Sequence, residues 1–353
     1  MPRTPTIAVD LAKSVFEVAC SDRPGRVRAR HRFTRAQFAR FVATTPAATV
    51  VMEACGTAHY WGRQAQAHGH RVVLLPPHVV RPYVPRNKTD RSDATGLLEA
   101  LRNEALRPVP VKSVAQQALT ALHRLRSTWL ATRTARLNTV RGLLREFGVA
   151  IPVGARQVRP AVAALLADPD SALPAAVRPA LHSALDELAA LEERLRAIEQ
   201  QLSALAAELP AVTSLRTIPG VGLLTATALV GFVGDAHRFP TARHFASFLG
   251  LTPREHSSGA RRRLGAISKR GDAYLRMLLT HGARSVLCHA KRPTARPHRL
   301  TQWALALARR RGHNPAAIAL ANKLARIAWA VWTTDTPFAA QPPRPSTLTL
   351  TEA

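Results

Sequence analysis

"TIAVDLAKSVFEVACSD", residues 6–22, is apolar and β-branched on both sides of a short Ala-Lys-Ser break, and its first run carries a carboxylate, Asp10. Short apolar runs of this kind read as buried strands. The neighbouring segments extend the pattern. "RVRARHRF" (26–33) follows a Pro-Gly pair and alternates as a half-exposed strand does. "TRAQFARFVATT" (34–45) reads as an amphipathic helix capped by Thr34. "ATVVMEAC" (48–55) is a short buried strand, "AHYWGRQAQAHG" (58–69) a helix closed by Gly69, and "HRVVLLPP" (70–77) a further strand. Strands alternating with helices predict an α/β domain with at least partly parallel pairing.

The carboxylates in this region stand out because the chain is short of acid. Its 353 residues hold 50 Lys and Arg against 22 Asp and Glu, a formal net charge of +28. Asp10 and Glu53 both follow β-branched or apolar residues, where an unpaired carboxylate is costly to bury. "RNKTDRSDATGLLEALRN" (86–103) adds Asp90 and Asp93 at i and i+3, which share a face on a helix. Each acid alone has a bland reading: Asp10 closing a turn, Glu53 pairing with an arginine, Asp90 capping a helix. Two strands and a helix start can also gather all four at one sheet edge. Clustered carboxylates repel unless a cation neutralises them, and Mg²⁺ prefers oxygen ligands.

The strong basic excess points to a polyanion, with nucleic acid before an anionic membrane surface. No run reaches the length of apolar sequence that a membrane helix needs, and no amino-terminal segment reads as a signal peptide. Cys20, Cys55 and Cys288 lie far apart with no CxxC spacing, which excludes a zinc ribbon or a disulfide scaffold. The expectation is a soluble cytoplasmic protein facing nucleic acid.

From 114 to 147 the pattern turns helical, with arginines between the apolar positions. A proline-punctuated stretch follows (152–179). Then residues 181–210 space Leu181, Leu185, Leu188, Leu195, Ile198, Leu202, Leu205 and Leu209 at near-heptad intervals. Between 181 and 209 there are six acidic residues and two basic ones, so this helix turns toward protein. A coiled coil is one reading, and a long helix folded onto its own domain is the other.

"IPGVG" (218–222) before "LLTATALVGFVG" reads as a helix-hairpin-helix element. In it Gly220 and Gly222 would let the backbone approach a phosphate; a Gly-Pro turn between core helices is the plainer alternative. From Arg254 to Arg311 there are fifteen Lys or Arg and two acids. Within it "GLTPREHSSGARRRLGAISKRGDAYLR" (250–276) sets Ser257 and Ser258 between Arg254 and the Arg261, Arg262, Arg263 triplet, with Lys269 and Arg270 beyond. A serine is a weak nucleophile until its proton is removed or its target polarised, and arginines can hold a phosphodiester. His256 is a possible base. An exposed phosphate-binding loop is the simpler reading.

The order strand-Asp, strand-Glu, helical Asp-x-x-Asp resembles the RNase H-like, RuvC-type nuclease domain. Together with "TIPGVG" and "GLTPREHSSG…RLGAISKRGDAYLR", the chain resembles insertion-sequence transposases with an Asp-Glu-Asp-Asp amino-terminal domain. That family includes the Piv-type DNA invertases and the bridge-RNA-guided recombinases, and the likeness covers about residues 6 to 335. It implies an RuvC-like metal domain (1–112), a helical linker and coiled coil (113–210), a mainly helical transposase domain (211–335) and a disordered tail (336–353). It implies that Asp10, Glu53, Asp90 and Asp93 bind Mg²⁺ or Mn²⁺. It also implies that Ser258, directly before the glycine, attacks DNA to form a phosphoserine linkage. Donor and target DNA, a structured guide RNA and a homo-oligomer, dimer or tetramer, are the implied partners, with no membrane; a nucleoid-associated place in a bacterium follows. Cys55 departs from the small or hydroxyl residue that relatives carry there. A metal-dependent junction nuclease acting through water, or a non-enzymatic nucleic-acid scaffold, remain the alternatives.

Overall fold

The computed structural model describes residues 5–23, 26–84, 89–103, 106–292 and 298–339; for Asp90 and Arg91 it describes the backbone alone. The chain divides into two compact units, Met1–Gln117 and Ala118–Ala353.

The first unit is built on a five-stranded sheet in the order β3-β2-β1-β4-β5. β1 (Thr6–Asp10), β2 (Val15–Ser21) and β3 (Ala29–Thr34) form an antiparallel meander. β4 (Thr49–Glu53) pairs parallel to β1, and β5 (Arg71–Leu75) parallel to β4. Each strand appears where the sequence predicts one. Helices α1 (Arg35–Thr44) and α2 (Ala58–Ala67) cover one face, where Phe16, Phe38 and Trp61 meet edge to face at ring separations of 5.1–5.3 Å. Thr34 caps α1 in a reciprocal box with Gln37, as its sequence predicts.

After a short turn of helix, α3 (Pro77–Val80), α4 (Asp90–Leu101) covers the other face. Its Ala94, Leu97 and Leu98 pack on Ala8, Ala19, Val51 and Val73. Thr89 caps α4: its hydroxyl accepts from the Ser92 N–H, and the Ser92 hydroxyl accepts from the Thr89 N–H. Capping therefore falls to Thr89, not to Asp90. A mixed sheet covered on both faces is compatible with an RNase H-like domain.

The second unit is helical. α5 (Val114–Glu146), α6 (Ala155–Ala167) and α7 (Arg178–Ala207) share a core of Leu137, Val140, Leu144, Val158, Val162, Leu181 and Leu188. The proline-punctuated stretch holds a thirteen-residue helix, α6, that carries Pro160 internally; burial of Val158 and Val162 offsets the lost backbone hydrogen bond. The near-heptad stripe of α7 is covered by its own chain rather than by another: Leu181 and Leu188 pack on α5 and α6, Ile198 and Leu202 on the carboxyl-terminal core. Its acidic residues find the arginines of α5, Arg126 with Glu199 (2.7 Å), Arg133 with Glu192 (2.9 Å) and Arg136 with Glu187 (2.8 Å).

The remaining elements are α8 (Pro210–Arg216), α9 (Leu223–Val233), α10 (Ala242–Phe248), the ribbon β6 (Pro253–Glu255) with β7 (Leu264–Ile267), α11 (Ala273–Ala290), α12 (Arg299–Arg311) and α13 (His313–Thr334). Apolar faces of α8 to α13 close one core. At the start of the expected disordered tail, Phe338 packs on this core and its N–H reaches the Thr217 hydroxyl at 2.8 Å; residues 340–353 lie outside those described. Among the described residues no helix is long and apolar enough to cross a membrane.

Candidate functional site

Sheet register decides where the first carboxylates go. β1 and β4 run parallel with Val9 beside Met52, so one step further along both strands Asp10 and Glu53 stand side by side at the strands' carboxyl ends. Both lie on the face that α4 covers, because Ala8 and Val51, two residues earlier, pack there. α4 delivers Asp93 to the same place. Asp10, Glu53 and Asp93 line one cavity of about 370 Å³ with Arg81, Val80, Val84 and Leu97. The backbone of Asp90 opens α4, while its side chain lies outside those described.

The donors fit a hard divalent cation in kind, since carboxylate oxygens are what Mg²⁺ and Mn²⁺ prefer. Among the described residues no group of three or more His, Cys, Asp or Glu is placed to hold a metal ion. Cys55 records the local field. Burial raises its thiol pKa first, and the negative charges of Glu53 and Asp10 raise it further. The sequence reading missed Arg81, which enters the cavity from "HVVRPY" with no periodic signal to mark it. It also missed Glu17, directly opposite Asp10 on β2 and ion-paired to Arg32 at 3.5 Å.

The serine motif forms the ribbon of β6 and β7. Ser258 and Arg261 exchange backbone hydrogen bonds of 3.3 and 3.2 Å around Gly259, whose φ of +54° makes the tight turn. The two serines differ. Ser257 donates to Glu255 at 2.8 Å and accepts from the Arg263 N–H at 3.0 Å, which ties its hydroxyl into the ribbon. Ser258 sits exposed at the tip, flanked by exposed Arg261, Arg262 and Arg263; Arg262 lies 3.7 Å from Glu255.

The ribbon's base is rigidly packed. Lys269 takes a φ of +55°, and its N–H reaches the Gly250 carbonyl at 3.1 Å. A Cβ on Gly271 would fall 1.9 Å from the Phe248 carbonyl oxygen. Asp272 caps α11 through the Leu275 N–H at 2.9 Å. Arg254 reaches the Ser268 carbonyl at 3.4 Å, and Lys269 and Arg270 are exposed.

In "IPGVG" the two glycines part company. Gly220 packs against Gly282 of α11: its φ is +83°, and a Cβ on it would lie 2.8 Å from the Gly282 carbonyl oxygen, so its glycine has an internal cause. Gly222 is exposed and opens α9 with no side-chain cap, beside Arg216, His281 and Ser285 in a cavity of about 680 Å³.

Comparison with known proteins gives two family matches. "DEDD_Tnp_IS110: Transposase" matches residues 7–149, and "Transposase IS116/IS110/IS902 family" matches residues 212–299. A "Probable family 20 transposase" of Pseudomonas aeruginosa is 44% identical over 335 residues, 94% of this chain and 97% of its own. The "Transposase for insertion sequence element IS1111A" of Coxiella burnetii is 40% identical over 93% of this chain and 89% of its own. A "Pilin gene-inverting protein" of Moraxella lacunata is 49% identical over 45 residues, 13% of this chain and 14% of its own.

Proposed function

The chain belongs to the IS116/IS110/IS902 family of transposases, and from that membership we propose a DNA recombinase that joins an acidic metal centre to a serine nucleophile. The observation that carries the reading is the convergence of Asp10, Glu53 and Asp93 on one cavity, from two strands and a helix that each had a separate bland explanation.

Asp10, Glu53, Asp93 and Asp90 would hold Mg²⁺ or Mn²⁺, whose bound charge supplies polarisation of the phosphodiester. Ser258 acts at the exposed tip of its ribbon. Its Oγ bonds to phosphorus as the bond to the leaving deoxyribose oxygen breaks, the serine proton passing to a base, for which His256 is the nearest candidate in sequence. Religation is the reverse attack by a deoxyribose hydroxyl. Arg254 and Arg261 to Arg263 hold the phosphate and offset charge gained in the transition state. Lys269, Arg270 and the α9 terminus at Gly222 serve as further backbone contacts. A structured guide RNA and assembly of two or four protomers complete the proposal; the basic charge suits either nucleic acid.

A recombination assay on donor and target plasmids tests it. Asp10→Ala and Ser258→Ala should each abolish product while DNA binding persists. Product at the unmutated rate removes that residue from the site. Loss in Asp10→Ala alone, with nicked DNA still made by Ser258→Ala, points instead to a hydrolytic nuclease.

A further inference from the structure

The strand "RVRARHRF" enters none of the chemistry above, yet its register aims it at the carboxylate cavity. Arg32 pairs with Glu17 across β3 and β2, and Glu17 pairs with Asp10 across β2 and β1. Arg32, Glu17 and Asp10 thus form one row on one face of the sheet, and Glu53 continues it. Arg30 pairs with Ala19, which α4 covers, and its guanidinium donates to the Thr95 hydroxyl of α4 at 2.8 Å. Arg28 leaves this row: it precedes β3, its N–H bonds the Cys20 carbonyl at 2.8 Å, one step off the register, and Val27 beside it packs on the α4 face. Arg30 and Arg32 are exposed, about 6.6 Å apart along the strand at ~3.3 Å per residue.

The other face of β3 is different in kind. His31 and Phe33 stack at 5.2 Å with an interplanar angle of 8°, and both lean on Phe41 of α1. Arg30 and Arg32 stand on the face that holds the acids. A phosphodiester approaching three carboxylates is repelled, and a flanking row of fixed guanidiniums offsets that repulsion.

We propose that Arg30 and Arg32 form a phosphate track on the α4 face of β3 that guides a DNA strand to the Asp10–Glu53–Asp93 cavity. The proposal rests on the reading of that cavity as the metal centre.

The test is fluorescence anisotropy of the full-length protein with labelled DNA, and with RNA of the same sequence, across a KCl series. Arg30→Gln/Arg32→Gln is compared with Arg40→Gln, an exposed arginine on α1 in the opposite layer. Thermal melting first establishes that each variant is folded. For the double variant the slope of log affinity against log salt should shrink by about 0.7 to 0.9 per arginine on DNA, and Arg40→Gln should change it far less. An unchanged DNA slope, an equal change in Arg40→Gln, or a change confined to RNA overturns the track. Asp10→Asn, assayed for cleavage alongside, separates the two claims. Cleavage lost in Asp10→Asn with an unchanged slope in the double variant sinks the track alone, whereas cleavage retained in Asp10→Asn sinks the metal centre beneath it.

Discussion

Glu17 stands directly across from Asp10 in the antiparallel pairing of β1 with β2, and is itself joined to Arg32 at 3.5 Å. The carboxylate of the first strand therefore has a second carboxylate beside it whose charge is already engaged. A neighbour of that kind fixes the field and rotamer of a ligand without being one. Glu17→Gln should raise the Mg²⁺ concentration for half-maximal recombination by about tenfold while leaving the melting temperature within a few degrees. An unchanged Mg²⁺ titration would remove Glu17 from any role at the centre.

The two serines should separate cleanly. Ser257→Ala removes a hydroxyl that bridges Glu255 and the Arg263 N–H, so the ribbon loosens and the rate falls. Two hydrogen bonds of about 1 kcal/mol each bound that loss at roughly tenfold to thirtyfold. Ser258→Ala should give no detectable product. Equal losses in the two variants, measured by single-turnover recombination, would contradict the assignment.

Much of this was legible in the sequence, for a physical reason. Strands, the Thr34 cap and the candidates Asp10, Glu53 and Asp93 depend on local pattern, and local pattern is what a linear reading sees. What it missed depends on residues far apart. Pairing of Arg32, Glu17 and Asp10 needs the register of two hairpins. The glycine at 220 is required by Gly282, on a helix whose approach nothing near 220 announces. The stripe of α7 was visible, but periodicity does not say who covers it; the arginines of α5 decide that. Helix α6 stayed hidden because Pro160 argues against a helix until its valines are seen to be buried.

Gly282→Ala tests the contact between α11 and the turn that precedes α9. The added methyl meets the Gly220 carbonyl at 2.0 Å, backbone that cannot swing aside. Overpacking of this kind costs about 1–3 kcal/mol, and differential scanning fluorimetry should show a melting point lower by several degrees. No change would contradict the close approach of α11 to the turn at Gly220.

Acid should weaken the second unit through His123. This imidazole is fully buried, with the Tyr274 hydroxyl at 2.9 Å from Nδ1 and the Thr227 hydroxyl at 2.9 Å from Nε2. Because the Thr227 hydroxyl donates to the Leu223 carbonyl at 2.6 Å, it accepts from Nε2–H. Burial first, then the charge of Arg126, lowers its pKa to about 4. The unfolded chain binds the proton near 6.5 and the fold does not, so the stability it contributes is complete above that pH and is lost as pH falls toward 4. The loss is on the order of 2–3 kcal/mol. His59 in the first unit, lowered to about 4 by burial and then by Lys112 and Arg63, acts in the same window. Melting curves at pH 7 and pH 4.5 should draw closer together in His123→Gln than in the unmutated protein; an identical gap would show that His123 titrates normally.

The central claim is that Ser258 becomes covalently joined to DNA at a reaction that needs the carboxylates. The most direct measurement is a trapping assay, with purified protein, its flanking RNA, Mg²⁺ and labelled donor and target DNA, denatured after incubation. The account predicts a protein–DNA adduct that survives detergent and disappears in both Ser258→Ala and Asp10→Asn. Cleaved DNA with no adduct, made as well by Ser258→Ala as by the unmutated protein, would contradict it and leave the serine as a phosphate ligand.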